Sequence, residues 1–415
     1  MINDIDNRIA AAERACADPF ARIDAIEMMN TEKVLRALQE NRVASHHFAG
    51  STGYGYGDVG REKLSDVFRD VFAAEAALVR PQIASGTHAL AICLYGVLRP
   101  GDRMLSAAGK PYDTLEDVIG LTGNRGDGSL RELGVAYSQT ELTEDGALDL
   151  PQILANLTDD VKLVLIQRSR GYAWRPSLRV SEINEAIDAI HKKRPDVCVM
   201  VDNCYGEFME SEEPRADLIA GSLIKNPGGG IAPTGGYIAG KAQYVEKAAC
   251  RLTSPGIGAE VGSYAGSYQP FFQGLFLAPH TVAQAAKTAV LAAKLFSDLG
   301  YLVSPAFDEP RTDIIQALKL ESPDRLIQFC QAIQRASPID SEAVPEPWEM
   351  PGYQHPVIMA AGTFISGASI ELSADAPIRE PYIAYLQGAL TYAHGKYALR
   401  AALQQLHDAG LLARS

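Results

Sequence analysis

Two continuous apolar strands joined by one helix constrain the fold of this chain more than any other feature. The segments VKLVLIQ (161–167) and VCVMVD (197–202) are apolar almost throughout, which is typical of strands covered on both faces. Between them, SEINEAIDAIHKKRPD has an apolar face at helical spacing, with Ser181 as the expected N-cap and Pro195 beyond its end. A strand, a helix and a strand within about 40 residues predict a parallel pair with a right-handed crossover. The sequence therefore predicts an α/β fold with a mainly parallel sheet.

The same alternation predicts three parts of the chain. Residues 1–60 have the pattern of helices followed by a glycine- and tyrosine-rich arm, which contains GYGYGDVGRE. Residues 61–279 alternate helices and strands and are expected to form a large domain. Residues 280–415 are expected to contain an alanine-rich helix at 280–299, two strands, and a segment, 381–412, that ends in helix. This pattern predicts a smaller α+β domain at the C-terminus.

Charge and cysteine usage exclude several classes of protein. The net charge is −13, and a chain without an excess of Lys and Arg does not favour nucleic acid or an anionic membrane. No apolar leader and no run of about 18 apolar residues is present, so we expect no membrane span. The six cysteines form no CxxC pair, which favours reduced thiols in the cytoplasm. No HExxH, zinc-type spacing or GxSxG occurs, so neither a metal site nor a serine hydrolase is expected.

The segment IASGTHAL (83–90) has the pattern of a strand that ends in a turn and enters a helix. Ser85, Gly86 and Thr87 would place two hydroxyls, backbone N–H groups and a residue without a side chain at the helix start. Such a start binds anions. The alternative is an ordinary strand–helix turn with a Thr cap.

Two charged residues follow apolar strands further along the chain. Asp202 closes VCVMVD, and it is either a loop cap or a buried partner for a protonated ring nitrogen. Lys225 follows Leu223 and Ile224 and precedes three glycines. It is either a solvated lysine or an amine that apolar neighbours make easier to deprotonate, so that it can form a Schiff base. The glycines are not followed by GKS or GKT, which argues against a P-loop.

Together these segments match the needs of one cofactor. Pyridoxal phosphate requires an anion site for its phosphate, a carboxylate for its pyridine nitrogen and a lysine for its aldehyde. The order of Ser85-Gly86-Thr87, Asp202 and, 23 residues later, Lys225 resembles the aspartate-aminotransferase-like (fold type I) enzymes.

The resemblance is more specific in LVRPQIASGTHAL, GKPYDTLEDVIG, GSLIKNPGGGIAPTGGYIAGK and PIREPYIAYLQGALTY. These strings are similar to the family related to cystathionine β-lyase and methionine γ-lyase that is known as the aluminium-resistance proteins, over residues 45–395. The family usually has two glycines after the glutamine near its C-terminus, whereas here Gln387 is followed by Gly388 and Ala389. The resemblance implies a large lobe with a mainly parallel sheet and a smaller C-terminal lobe.

The resemblance also implies roles for individual residues. Lys225 would bond the cofactor aldehyde, Asp202 would pair with the pyridine nitrogen, and Tyr112 would stack on the ring. The phosphate would be held by Ser85, Gly86, Thr87 and Ser222. Arg379 would bind the substrate carboxylate, since arginine matches a carboxylate with two hydrogen bonds; its alternative is a surface ion pair. Tyr56 and Arg61 resemble an arm that reaches the phosphate of a neighbouring subunit, which favours a homodimer or homotetramer.

The implied function is a pyridoxal-phosphate-dependent lyase that acts on a small amino-acid substrate. Elimination of a β or γ substituent from a sulfur amino acid, of the cystathionine or methionine type, is the reaction that the resemblance favours. The same fold and cofactor serve transaminases, so transamination is a second hypothesis. A third is a protein for stress or metal tolerance that holds the cofactor with little catalysis. A cofactor-free interaction protein is a further alternative, but it would require the match of all three segments to a cofactor site to be a coincidence.

Overall fold

The computed structural model describes residues 2–123, 126–350 and 355–412. In these residues the chain forms two sheets. The large sheet has the strand order β1-β7-β6-β5-β4-β2-β3, and the small sheet has the order β10-β11-β12-β9-β8.

The strands are β1 (Ala76–Arg80), β2 (Arg103–Ser106), β3 (Ala136–Gln139), β4 (Val161–Gln167), β5 (Cys198–Asp202), β6 (Leu218–Ser222), β7 (Gly236–Gly240), β8 (Leu302–Ser304), β9 (Gln316–Lys319), β10 (Val357–Ala360), β11 (Ser373–Pro377) and β12 (Ile383–Gln387). The helices are α1 (Ile2–Ala15), α2 (Ala17–Glu40), α3 (Val59–Val71), α4 (Gly86–Val97), α5 (Asp113–Ile119), α6 (Leu150–Ala155), α7 (Val180–Lys193), α8 (Ala242–Leu252), α9 (Gln269–Asp298), α10 (Pro323–Arg335) and α11 (Tyr392–Asp408).

The large sheet confirms the predicted α/β fold. Strands β3, β2, β4, β5 and β6 pair in parallel, and β7 is antiparallel to both of its neighbours, β6 and β1. Every residue of β5, β6 and β7 is buried, as expected for strands with helices on both faces. Because β5 and β6 run in parallel, with Asp202 opposite Ala220, the ends of both strands lie at the same edge of the sheet.

The small sheet is antiparallel throughout and has its own apolar core. Helices α9, α10 and α11 contribute to this core, and so does the N-terminal helix α1 through Ile5, Ile9 and Ala12. The N-terminal helix therefore packs against the C-terminal part of the chain. The predicted domain boundaries stay a prediction, although α9 runs across the one at 279/280.

Two predicted elements were wrong in detail. The alanine-rich helix begins at Gln269 rather than at 280, because Pro270 in its first turn starts a helix well and the apolar residues after it are buried. The segment 381–412 ends in helix α11, as expected, and its residues 383–387 form strand β12, which pairs with β9 and β11. Helix α7 begins after Arg179, whose N–H donates to Glu182 at 2.9 Å, so Ser181 lies inside the helix.

The departure from the family pattern at Gln387-Gly388-Ala389 lies directly after β12. Gly388 has a φ of +82°, and a Cβ there would lie 2.1 Å from the Ser369 carbonyl oxygen. A larger residue does not fit at this position. Ala389, the residue that differs from the family, has a φ of 147°, within the region that favours glycine. A glycine at this position would be less strained than the alanine.

A buried network of charged and polar side chains fixes the loop 203–213 after β5. Arg168 is fully buried and donates to Asn203 at 2.8 Å and to Glu213 at 3.1 Å. The Tyr237 hydroxyl donates to Glu207 Oε1 at 2.9 Å, whereas Glu207 Oε2 has no hydrogen-bond partner within the described part of the chain. Burial raises the pKa of Glu207 to about 8. This loop carries two residues of the cavity described below.

Among residues 2–123, 126–350 and 355–412, none of the helices has both the length and the apolar character needed to cross a bilayer.

We expect Glu207→Gln to stabilise the protein increasingly as the pH rises from the ordinary glutamate pKa of 4.5 towards 8. In this window the folded protein keeps a proton that the unfolded chain releases, so the wild type loses stability as the pH rises. Glutamine stays neutral and keeps an acceptor for Tyr237. Thermal unfolding midpoints should agree near about pH 5 and differ by a few degrees near about pH 8.

The matched control is Glu212→Gln, because Glu212 is an exposed glutamate of the same loop. It should leave the midpoint unchanged at both pH values. A difference between wild type and Glu207→Gln that does not vary with pH would contradict this account.

Candidate active site

A cavity of about 230 Å³ opens at the carboxyl ends of β5 and β6. It brings together the following predicted site residues: Ser85, Gly86, Thr87, Tyr112, Asp202, Ser222 and Lys225. Asp202 ends β5, Ser222 ends β6, and Lys225 stands three residues further on, directly before a 3₁₀ turn at Asn226–Gly228. Sequentially distant residues meet here because parallel strands present their ends at one edge of a sheet.

The start of α4 forms one end of the cavity. Ser85 is its N-cap, and the Ser85 hydroxyl accepts a hydrogen bond from the His88 N–H at 3.0 Å. A Cβ on Gly86 would lie 3.1 Å from Cys204 Sγ and 4.0 Å from Lys225 Nζ. The glycine therefore leaves room for a group between these side chains. The Thr87 and Thr114 hydroxyls are hydrogen-bonded at 2.7 Å. Unpaired N–H groups and hydroxyls at a helix start suit an anion such as phosphate.

Asp202 is a buried carboxyl whose Oδ1 accepts a hydrogen bond from the Cys204 N–H at 3.2 Å, and the Cys204 thiol is a second neighbour. Burial raises its pKa, and the nearby charge of Lys225 acts in the opposite direction. A buried carboxylate is stable only with a partner. A cationic group in the cavity, such as a protonated pyridine nitrogen, would supply one.

The neighbours of Lys225 act on the pKa of its amine. Its Nζ lies 4.0 Å from the centre of the Tyr205 ring. Burial acts to lower the Lys225 pKa, but Cys204, Tyr205 and Asp202 outweigh burial, and the pKa is raised. Burial also raises the pKa of Cys204 and Tyr205, so these two groups are neutral near pH 7. Asp202 is therefore the neighbour whose negative charge opposes loss of a proton from Lys225.

Tyr112 lines the cavity opposite the turn that follows β4. Its ring centre lies 5.8 Å from that of Tyr172. A Cβ on Gly171 would lie 3.2 Å from Tyr112 Cδ2, so the Gly171 backbone packs directly against the Tyr112 ring. Gln167 also lines the cavity, and its Oε1 is buried without a hydrogen-bond partner among the described residues.

The structure does not bring Arg379, Tyr56 or Arg61 into this cavity. Arg379 is exposed on the turn between β11 and β12, and its Nη2 donates to the Tyr172 carbonyl at 3.2 Å. Arg61 is 1% exposed and donates to the Gly55 carbonyl at 2.9 Å, within its own chain. Tyr56 is 67% exposed. The roles of Tyr56 and Arg61 towards a neighbouring subunit, and that of Arg379 towards a substrate, stay predictions.

Sequence reasoning missed several residues of the cavity. Cys204 and Tyr205 follow Asp202 within three positions, and their nearness to the strand end was a signal that could have identified them. Thr114 and Gly367 also line the cavity. Gly367 comes from the segment between β10 and β11, and only the packing of the small sheet on the large one brings it there. Within the described ranges, no cluster of three or more His, Cys, Asp or Glu residues could hold a metal ion.

Comparisons with known proteins identify the family of this chain. The family model described as methionine gamma-lyase matches residues 5–407. The uncharacterized protein YnbB of Bacillus subtilis is 51% identical over 394 residues, which cover 94% of each chain. A crystal structure from Clostridium novyi, described as a carbon–sulfur lyase involved in aluminium resistance, is 50% identical with a TM-score of 0.94 and covers 97% of this chain and 96% of that one.

A more distant structure shares the fold alone. Cystathionine gamma synthase from Xanthomonas oryzae is 16% identical with a TM-score of 0.60, over 91% of this chain and 98% of that one. The family implies pyridoxal phosphate as cofactor. Since the family match spans nearly the whole chain, the protein belongs to the methionine gamma-lyase family.

Proposed function

We propose that this protein is a pyridoxal-phosphate-dependent lyase that removes a sulfur substituent from the β or γ carbon of an amino acid. The observation that carries the proposal is one cavity that holds the Lys225 amine, the buried Asp202 carboxyl and the start of α4. The relative from Clostridium novyi is described as a carbon–sulfur lyase, which supports the choice of reaction.

The residues of the cavity fit the cofactor. Gly86 has no side chain at the point where the cavity narrows between Cys204 and Lys225. The Asp202 carboxyl is buried at the cavity, and the buried Gln167 Oε1 has no hydrogen-bond partner within the described chain. A protonated ring nitrogen would give the Asp202 carboxyl a partner. A phosphate group would fit the N–H groups at the start of α4.

When bound, pyridoxal phosphate supplies an electron sink for the negative charge that develops at the Cα of an amino acid. Ser85, Gly86, Thr87 and Ser222 would hold the phosphate, and Asp202 would keep the ring nitrogen protonated. Tyr112 would cover one face of the ring.

Lys225 has two proposed tasks. It would hold the cofactor covalently until a substrate amine displaces it, and its freed Nζ would then take the Cα proton. Lys225 must be neutral to take this proton, and the pairing of Asp202 with the ring nitrogen would remove a negative charge that raises the Lys225 pKa. The balanced reaction takes one amino acid and one water and gives a thiol, a 2-oxo acid and ammonia.

Further features of the protein are proposals of the same kind. A homodimer or homotetramer would give the exposed Tyr56 arm a neighbouring subunit to contact. All six cysteines are free thiols, which is compatible with the reducing cytoplasm. No nucleic acid or membrane partner is proposed for a chain with a net charge of −13. Transamination and cofactor storage for metal tolerance are the competing functions.

The direct test is an assay on cystathionine, methionine and other sulfur amino acids with the cofactor-loaded protein. Elimination predicts a thiol and a 2-oxo acid in equal amounts, with no added amino acceptor. Lys225→Ala should lose this turnover and the borohydride-fixed adduct between cofactor and protein. Lys192→Ala, at an exposed lysine of α7, is the matched control and should keep both.

Other outcomes separate the alternatives. A 2-oxo acid that forms only with an added amino acceptor, and without thiol, would establish transamination. A cofactor spectrum that no amino acid changes would favour cofactor storage. Either result would refute the lyase.

We also expect Gly86→Ala to weaken cofactor binding by about ten-fold, since the added methyl group would lie 3.1 Å from Cys204 Sγ and narrow the cavity. The double variant Gly86→Ala with Cys204→Ala removes the sulfur that the methyl group meets. It should recover most of the affinity, and Cys204→Ala alone should bind the cofactor nearly as well as wild type. The dissociation constant for pyridoxal phosphate is measured for all four proteins by titration, with binding followed by absorbance. Equal affinity in wild type and Gly86→Ala would show that the cofactor does not occupy this end of the cavity.

A further inference from the structure

Tyr172, in the turn that follows β4, is held by residues of the small sheet. The Tyr385 hydroxyl donates to the Tyr172 carbonyl at 2.8 Å, and Arg379 Nη2 donates to the same oxygen at 3.2 Å. The Tyr172 and Tyr385 ring centres lie 5.3 Å apart. Tyr385 is 3% exposed, and it lies on β12. A turn of the large lobe is therefore tied to a strand of the small sheet.

A third residue of the small sheet faces the side chain of Tyr172. Asp375 lies on β11 opposite Tyr385 in the β11–β12 register. Its carboxyl accepts from Gln387 Nε2 at 2.7 Å and is a neighbour of the Tyr172 hydroxyl. Burial raises the Asp375 pKa to about 6, whereas the interactions with Tyr172, Gln387 and Lys225 oppose this rise. Tyr172 is thus contacted by the small sheet at both its carbonyl and its hydroxyl.

The same turn touches the cavity on its other side. Gly171, with a φ of +54°, places its backbone against the Tyr112 ring, where a Cβ would lie 3.2 Å from Cδ2. Both Gly171 and Tyr112 line the cavity around Lys225. A shift of Tyr172 would therefore move Gly171 and change the space available to Tyr112, because the packing between them leaves no gap.

We propose that Tyr385, Arg379 and Asp375 are positioning residues that hold Tyr172 and thereby fix Tyr112 at the cavity. The effect of Tyr112 on the pyridoxal phosphate ring rests on the proposed function. The proposal gives Arg379 a different role from the one predicted from the sequence: it acts through Tyr172 rather than by contact with the substrate carboxylate.

The first experiment uses the protein without cofactor, so it does not depend on the proposed function. Hydrogen exchange is followed in peptides that cover residues 168–175 of wild type, Arg379→Ala, Tyr385→Phe and the double variant. We expect faster exchange in this turn for each single variant, by about three- to ten-fold, and a larger change in the double variant. Arg335→Ala removes an exposed arginine of α10 and should leave the exchange unchanged. Asp375→Ala should also loosen the turn, whereas Asp375→Asn keeps an acceptor and should restore it.

The second experiment measures the affinity for pyridoxal phosphate and the KM for a sulfur amino acid in the same variants. Positioning through Tyr112 predicts weaker cofactor binding, by about three- to ten-fold, even without substrate. Unchanged exchange and cofactor affinity, with a KM that rises only in Arg379→Ala, would overturn the proposal and identify Arg379 as a substrate ligand. Wild type that binds no pyridoxal phosphate would refute the proposed function instead, while the exchange experiment would still decide whether the small sheet holds Tyr172.

Discussion

The closeness of the buried Asp202 carboxyl to the partly exposed Lys225 amine in one cavity is the constraint on which the rest of the site depends. A buried carboxylate is costly without a partner, and each group acts on the other: Lys225 opposes the rise in the Asp202 pKa, and Asp202 helps to raise that of Lys225. The parallel pairing of β5 and β6 places both groups at one edge of the sheet. The glycine at the start of α4 leaves space beside them, and in this space a ligand that carries a phosphate, a ring nitrogen and an aldehyde would meet a suitable partner for each.

The sequence was most informative where local pattern alone decides structure. The apolar runs of β4 and β5 predict buried parallel strands, and a charged residue directly after such a strand must lie at the sheet edge, which located Asp202. The sequence pattern around Lys225 predicted that this residue belongs to the site, but it did not predict the direction of its pKa shift. The raised pKa comes from Cys204, Tyr205 and Asp202, and the sequence around Lys225 does not reveal which neighbours the fold supplies.

Features that depend on how distant parts of the chain meet could not be predicted from local pattern. Strand β12 is an example, because its pairing with β9 and β11 is not local. The role of Arg379 towards a substrate carboxylate stays a prediction, and the structure adds that its turn is exposed and that it contacts Tyr172. Conversely, the small sheet supplies Gly367 to the cavity, and α1 joins the core of the C-terminal part from the opposite end of the chain. The fold alone does not determine the reaction, because the same fold supports many reactions.

The most direct test of the central claim is a crystal structure of the protein grown with pyridoxal phosphate. We predict density continuous with Lys225 Nζ, a ring nitrogen within hydrogen-bond distance of the Asp202 carboxyl, and a phosphate on the first N–H groups of α4. A cofactor bound elsewhere, or a Lys225 side chain that stays separate from it while Asp202 faces a different group, would contradict the account.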